Sequence, residues 1–148
     1  MSDTLQLACP HCHALNRLPT ARLDADPRCG RCKQALFTGF PVALDEASFN
    51  AHAVRSELPL LVDFWAPWCG PCRTMAPQFE AAASRLEPQV RLAKVNTEAQ
   101  QALGARFAVR SIPTLILFRG GHELARQSGA VGVPEIMRFA YEALTDKG

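Results

Sequence analysis

The chain has 148 residues, 48% of them hydrophobic and 20% charged, with a formal net charge of +2. That length holds one ordinary domain, or a small domain plus a stapled module, and so small a charge speaks against nucleic-acid binding driven by bulk electrostatics. The opening "MSDTLQLACPHC" has no basic region followed by an apolar one, and no apolar run approaches the ~18 residues of a membrane span. The expectation is a monomer of the reducing cytosol, off the membrane, where paired cysteines serve metals or redox catalysis rather than structural disulfides.

Residues 1–37 hold four of the six cysteines and few large apolar residues beyond scattered leucines. Such a stretch cannot bury enough surface to fold alone, so something besides hydrophobic burial must hold it together. Two units are expected, a four-cysteine module at 1–37 and an α/β domain at 38–148. Cys9-x2-Cys12, sixteen intervening residues and Cys29-x2-Cys32 have the spacing of a zinc ribbon. Each Cys-x-x-Cys turn brings two sulfurs to one side. Two facing turns supply four thiolates at tetrahedral corners, with Zn–S near ~2.3 Å.

Gly30 permits one of those tight turns. His11 and His13 are further candidate ligands, but four sulfurs already close the shell. One structural Zn²⁺ is therefore expected, without a hydrolytic role. Two structural disulfides, or two redox dithiols, are the competing readings. The interiors Pro10-His11 and Gly30-Arg31 do not exclude the second, but no strand pattern precedes either pair. Residues 1–40 carry five Lys/Arg and three Asp/Glu; four thiolates on one Zn²⁺ offset that excess, so a basic DNA-reading ribbon is not expected.

From Phe40 the pattern becomes regular. "EASFNAHAVRS" (46–56) reads as a helix capped by Asp45. "LPLLVDFWA" (58–66) is an apolar run of strand length, interrupted by Asp63. "CRTMAPQFEAAASRLE" (72–87) has helical spacing at Met75, Phe79, Ala82 and Leu86, with Pro77 set to kink it. "VRLAKVN" (90–96) alternates like a strand, and "TEAQQALGARFA" (97–108) reads as a helix capped by Thr97. "TLILFRGGHELARQSG" (114–129) is a hairpin turning at Gly120-Gly121, and "VPEIMRFAYEAL" (133–144) a closing amphipathic helix. Strands alternating with helices, plus an antiparallel hairpin, indicate a mixed sheet with helices on both faces.

The third cysteine pair, Cys69 and Cys72, differs in context. An apolar strand ends at Trp65-Ala66, and after a short turn a long helix begins. Cys69 is thereby placed at the helix N-terminus, where unpaired N–H groups and the helix dipole stabilise a thiolate, the attacking species in disulfide exchange. Cys72 falls in the first turn, within reach to resolve a mixed disulfide. Pro71 between them suits the first helical turn.

"WCGPC" (68–72), preceded by an apolar strand carrying one Asp, resembles the active-site signature of the thioredoxin family. The resemblance runs over residues ~41–145: "LVDFWAPWCGPC", Ala76-Pro77, "AKVN" (93–96), "IPT" (112–114) and Gly129-Ala130. With its four-cysteine extension the whole chain resembles the extended bacterial members of that family. The resemblance implies a thioredoxin fold and reduction of disulfides in target proteins. It also implies an NADPH-dependent thioredoxin reductase as the source of electrons. With no Gly-x-Gly-x-x-Gly in the sequence, this chain is not expected to bind the nucleotide itself.

The resemblance also implies roles for single residues. Asp63 would be a buried acid relaying a proton to or from the second cysteine; the alternative is an exposed strand-end carboxylate. Lys94 would lie near it; the alternative is a solvated strand lysine. Ile112-Pro113 would form a cis-proline loop against which an extended target pairs. Trp68, Gly70, Pro71 and Gly129 would line the same groove, while Trp65 packs. Pro67 and Arg73 depart from residues common in the family. Two other functions compete: a disulfide oxidase or isomerase, and a zinc-ribbon binding or redox-sensing module that uses its thioredoxin-like domain only as a surface. The intact Trp-Cys-Gly-Pro-Cys motif speaks against the second.

Overall fold

Short alternating segments at the N-terminus, too polar to be read as strands, nonetheless pair. The computed structural model describes residues 3–147; Met1, Ser2 and Gly148, the outer ends of the two expected units, lie outside the described residues. β1 (Thr4–Ala8) and β2 (Leu15–Pro19) form an antiparallel hairpin, followed by a single 3-10 turn at Thr20–Arg22. A strand therefore does precede the Cys9 pair, against the expectation that none would. In β1 only Leu7 and Ala8 are fully buried, so the period-2 signal is too short to detect.

The remaining elements are β3 (Val42–Ala43), α1 (Phe49–Ala53), β4 (Leu60–Trp65), α2 (Gly70–Leu86), β5 (Arg91–Asn96), α3 (Gln101–Arg106), β6 (Thr114–Arg119), β7 (His122–Ser128) and α4 (Val133–Lys147). The sheet order is β3-β5-β4-β6-β7, with β3 and β4 parallel to β5, and β6 antiparallel to both β4 and β7. Alternation along β4 sends Leu61 to one face, where Met75, Phe79 and Leu86 of α2 and Ile136 and Ala140 of α4 cover it. It sends Leu60, Val62 and Phe64 to the other, against Phe49 of α1 and Leu103 of α3. This is the mixed sheet with helices on both faces that the sequence indicated.

Two helices are shorter than expected, for one reason. Asp45 does not cap a helix at 46; its carboxylate accepts from the amide and hydroxyl of Ser48, closing a turn that delays α1 to Phe49. The expected cap Thr97 instead donates its hydroxyl to the Trp65 carbonyl at 3.0 Å, and Asn96 takes the amides of Glu98 and Ala99. The hairpin turns at Gly120-Gly121 as expected, both at positive φ (57° and 84°), the left-handed conformation that a tight two-residue turn requires.

The N-terminal hairpin is bound to the sheet domain through buried polar contacts. Arg91, at the head of β5, donates through Nη2 to the carbonyls of Ala8 (3.2 Å) and Leu36 (2.8 Å). Its Nη1 pairs with Glu87 at 2.7 Å, and both side chains of this ion pair are over nine-tenths buried. The other Glu87 oxygen accepts the Gly39 amide, and the Arg91 guanidinium lies over the Phe37 ring. Leu58 inserts among Leu7, Cys9, Cys29 and Leu36. Gln6 bonds both Glu57 and the Arg55 carbonyl. His13 Nδ1 meets the buried His52 Nε2 at 2.9 Å.

Candidate active site and metal centre

Cys69 is the N-cap of α2, and its sulfur accepts the Cys72 amide at 3.2 Å. It thus occupies the position where the first turn's N–H groups converge. The helix begins at Gly70, two residues earlier than the apolar spacing suggested, because Pro71 is preset for the first turn. Cys69 and Cys72 form a disulfide with their Cα atoms 5.2 Å apart. They pack with Ala66, Trp65 and Ile112, and both sulfur-bearing residues are buried. Trp68 beside them is 67% exposed. The two departures from the family pattern meet: Arg73 Nη1 donates to the Pro67 carbonyl at 2.8 Å, bracing the turn that leads into Cys69.

The Ile112–Pro113 bond is cis, and the Ile112 carbonyl lies 3.8 Å from Cys69 Sγ. Gly129, exposed at φ 103°, donates its amide to the Pro113 carbonyl at 2.9 Å; a Cβ there would meet nothing, so the constraint on this residue is its backbone. Trp68, Gly70, Pro71, Ile112, Pro113 and Gly129 come from the two loops and the helix start that meet around the disulfide.

Asp63 is fully buried, and among the described residues neither carboxylate oxygen has a hydrogen-bond partner. Strand alternation puts it on the α2 face of the sheet. Lys94 is its register partner on β5, held with its ammonium 4.6 Å over the Trp65 ring. Burial pushes the Asp63 carboxyl up to about 7, against the opposing pull of Lys94. An exposed strand-end Asp is thereby excluded. Lys94 also lines an open pocket of roughly 470 Å³ with His13, Trp65 and Asn96.

The sulfurs of Cys9, Cys12, Cys29 and Cys32 all lie within 4.8 Å of one another. Cys9–Cys32 and Cys12–Cys29 are 3.6 and 3.7 Å apart, close to the ~3.8 Å tetrahedral edge that follows from Zn–S bonds of ~2.3 Å. The four are free thiols rather than disulfides. The amides of His11 and Arg31 each donate at 3.3 Å to the first sulfur of their turn, and Asn16 donates to Cys29 Sγ while its oxygen takes the Gly30 amide. Burial pushes the Cys9 thiol up to about 12. Burial pushes Cys29 the same way, but the Cys32 amide, Asn16 and the Arg31 amide outweigh it and hold that thiol at about 6. The donor set, spacing and amide cradle fit a tetrahedral zinc site. His13 is directed at His52, outside the sulfur cluster.

Sequence reasoning missed the Arg91–Glu87 pair, the His13–His52 contact, and the Ser111, Thr114 and Ser128 hydroxyls beside the groove. A charged residue heading an apolar strand was the one available signal for Arg91; the others depend on long-range contacts.

Residues 40–142 match the family described as thioredoxin, and residues 8–34 the family described as thioredoxin 2, N-terminal. Thioredoxin C-3 of Corynebacterium nephridii is 44% identical over 138 residues, 93% of this chain and 94% of the relative. Thioredoxin of Haemophilus influenzae is 42% identical over 96 residues, 65% of this chain and 90% of the relative. The bifunctional thioredoxin reductase/thioredoxin of Mycobacterium leprae is 42% identical over 100 residues, 68% of this chain and 22% of the relative. With its Cys pair at a helix N-terminus beside a cis-proline loop, the chain belongs to the thioredoxin family of thiol–disulfide oxidoreductases, extended at its N-terminus by a ribbon of the thioredoxin 2 kind.

Proposed function

We propose that the chain reduces disulfides in target proteins by cycling Cys69 and Cys72 between dithiol and disulfide. The observation that carries this is the capped geometry of Cys69, whose sulfur accepts a hydrogen bond from the Cys72 amide at the N-terminus of a 17-residue helix. In the reduced protein the Cys69 thiolate attacks one sulfur of the target disulfide. A Cys69–target bond forms, the target's S–S bond breaks, and the leaving thiolate takes up a proton. Cys72 then gives its proton to the Asp63 carboxylate and attacks Cys69. This closes the Cys69–Cys72 disulfide and expels the second target thiolate. Two electrons pass to the target.

Asp63, whose carboxyl titrates at about 7, holds the transferred proton. Lys94 opposes the rise in its pKa. Trp68, Gly70, Pro71, Ile112, Pro113 and Gly129 receive the extended target. A thioredoxin reductase using NADPH returns the electrons; one relative carries both activities in a single chain by its name. The setting is the cytoplasm, and the working form a monomer. Among the described residues no helix is long and apolar enough to cross a membrane.

Residues 1–37 and 38–148 are two functional units joined by a buried seam. Cys9, Cys12, Cys29 and Cys32 would hold one Zn²⁺, whose charge would neutralise the thiolates and fix the ribbon. A role in oxidative stress follows from the same chemistry, since oxidising the four thiols must release the metal. The reductase reading is tested by insulin reduction with dithiothreitol: the wild-type chain accelerates it and Cys69→Ser does not. Equal rates for the two would leave the domain as a binding surface.

A further inference from the structure

The groove's rim carries a hydroxyl cluster that the thiol chemistry does not use. Thr114, the first residue of β6, is buried and is paired across the sheet with Ser128, the last residue of β7. Thr114 Oγ1 donates to the Ser111 carbonyl at 2.6 Å and lies 3.0 Å from Ser128 Oγ, which in turn lies 3.1 Å from Ser111 Oγ. Each hydroxyl has one proton to give. The Thr114 proton goes to the Ser111 carbonyl, so Ser128 must donate to Thr114. The Ser128 proton is then spent, so Ser111 must donate to Ser128.

The circuit therefore runs from the Ser111 hydroxyl back to the Ser111 carbonyl, enclosing Ile112 and Pro113. Two consequences follow. First, residues 111–114 and the Ser128-Gly129 edge are held at fixed spacing, and with them the Ile112 carbonyl beside Cys69. Second, Ser111 Oγ is on an exposed residue and has already given its proton, so only its lone pairs face outward.

We propose that Ser111, Thr114 and Ser128 are positioning residues for the target chain, and that Ser111 Oγ accepts a hydrogen bond from an amide or protonated side chain beside the target disulfide. The assignment rests on the reading of the protein as a disulfide reductase. It is tested with the full chain, insulin as target and dithiothreitol as reductant.

Ser128→Ala removes the middle of the circuit and raises KM for insulin roughly 3- to 10-fold, the worth of one or two net hydrogen bonds, with kcat within about twofold. Ser128→Thr keeps a hydroxyl and returns KM towards the wild-type value. Ser111→Ala, which removes the outer link and the outward acceptor, also raises KM, and it carries the test should Ser128→Ala fail to fold. Ser84→Ala removes a hydroxyl that bonds the Ala81 carbonyl of its own helix, and changes neither parameter. An unchanged KM in Ser128→Ala and Ser111→Ala, a loss confined to kcat, or a KM that stays raised in Ser128→Thr overturns the proposal. Absence of insulin reduction by the wild-type chain would instead overturn the reductase reading.

Discussion

Asp63→Asn separates the cost of a buried carboxylate from its use. The folded protein holds this carboxyl at about 7 against 3.8 for the free group. Between those values the folded state binds a proton that the unfolded state has released, so stability falls as pH rises through the window. The penalty is absent below about pH 4 and complete above about pH 7. At 1.36 kcal/mol per unit it reaches about 4 kcal/mol, an upper value because water and Lys94 relax around the charge. Asn has the same shape and no charge, so the variant escapes the penalty, although its amide must find partners where the carboxylate found none.

That second effect is independent of pH, so the pH dependence isolates the first. Urea unfolding of oxidised wild type and Asp63→Asn at intervals from pH 4 to 8 should give a stability difference that grows in the variant's favour by several kcal/mol. A difference that stays constant across the range would refute the burial argument. On the proposed role of Asp63 as acceptor of the Cys72 proton, turnover of the variant should slow; unchanged rates between pH 6 and 8 would return Asp63 to a structural role.

Arg91→Ala leaves Glu87 buried without its partner and removes the donor to the Ala8 and Leu36 carbonyls. It should cost about 3–5 kcal/mol in urea unfolding, and hydrogen exchange should show the loss centred on the ribbon seam. His52 is held down to about 3, first by burial and then by Arg91 and His13. The unfolded chain takes up that proton near pH 6.5 and the folded chain does not, so stability is lost as pH falls from about 6.5 towards about 3. His52→Asn should flatten this acid limb of the stability profile. Metal analysis of the reduced protein should give one zinc per chain, lost on peroxide treatment in step with four thiols, and Cys29→Ser should lower the stoichiometry. An ordered N-terminal hairpin in metal-free, reduced protein would contradict a structural zinc.

Elements whose signal is local were legible in the sequence. Gly120-Gly121 dictates its turn, the apolar spacing of α2 dictates its buried face, and four cysteines at fixed spacing dictate their cluster. Asp63 stood out because a carboxylate inside an apolar run must be buried or misplaced. Helix starts were less legible: whether Asp45 or Ser48 leads α1, and whether Thr97 caps a helix or bonds back to Trp65, depends on what else each side chain can reach. β1 and β2 were invisible because their pairing leans on the sulfur cluster and on Leu58, distant in sequence. For the same reason the ribbon reads as separable in sequence and is sealed to the domain in space. The hydroxyl circuit at the groove is the extreme case, since Ser111, Thr114 and Ser128 have no pattern until β6 and β7 bring them together.

In the proposed cycle Cys69 attacks and Cys72 resolves. The direct measurement is trapping: reduced Cys72→Ser and Cys69→Ser are each mixed with oxidised insulin, quenched in acid and analysed by mass. Cys72→Ser should accumulate a mixed disulfide mapped to Cys69, and Cys69→Ser should accumulate none. A stable adduct on Cys72 in the Cys69→Ser protein, with none on Cys69 in the other, would contradict the assignment.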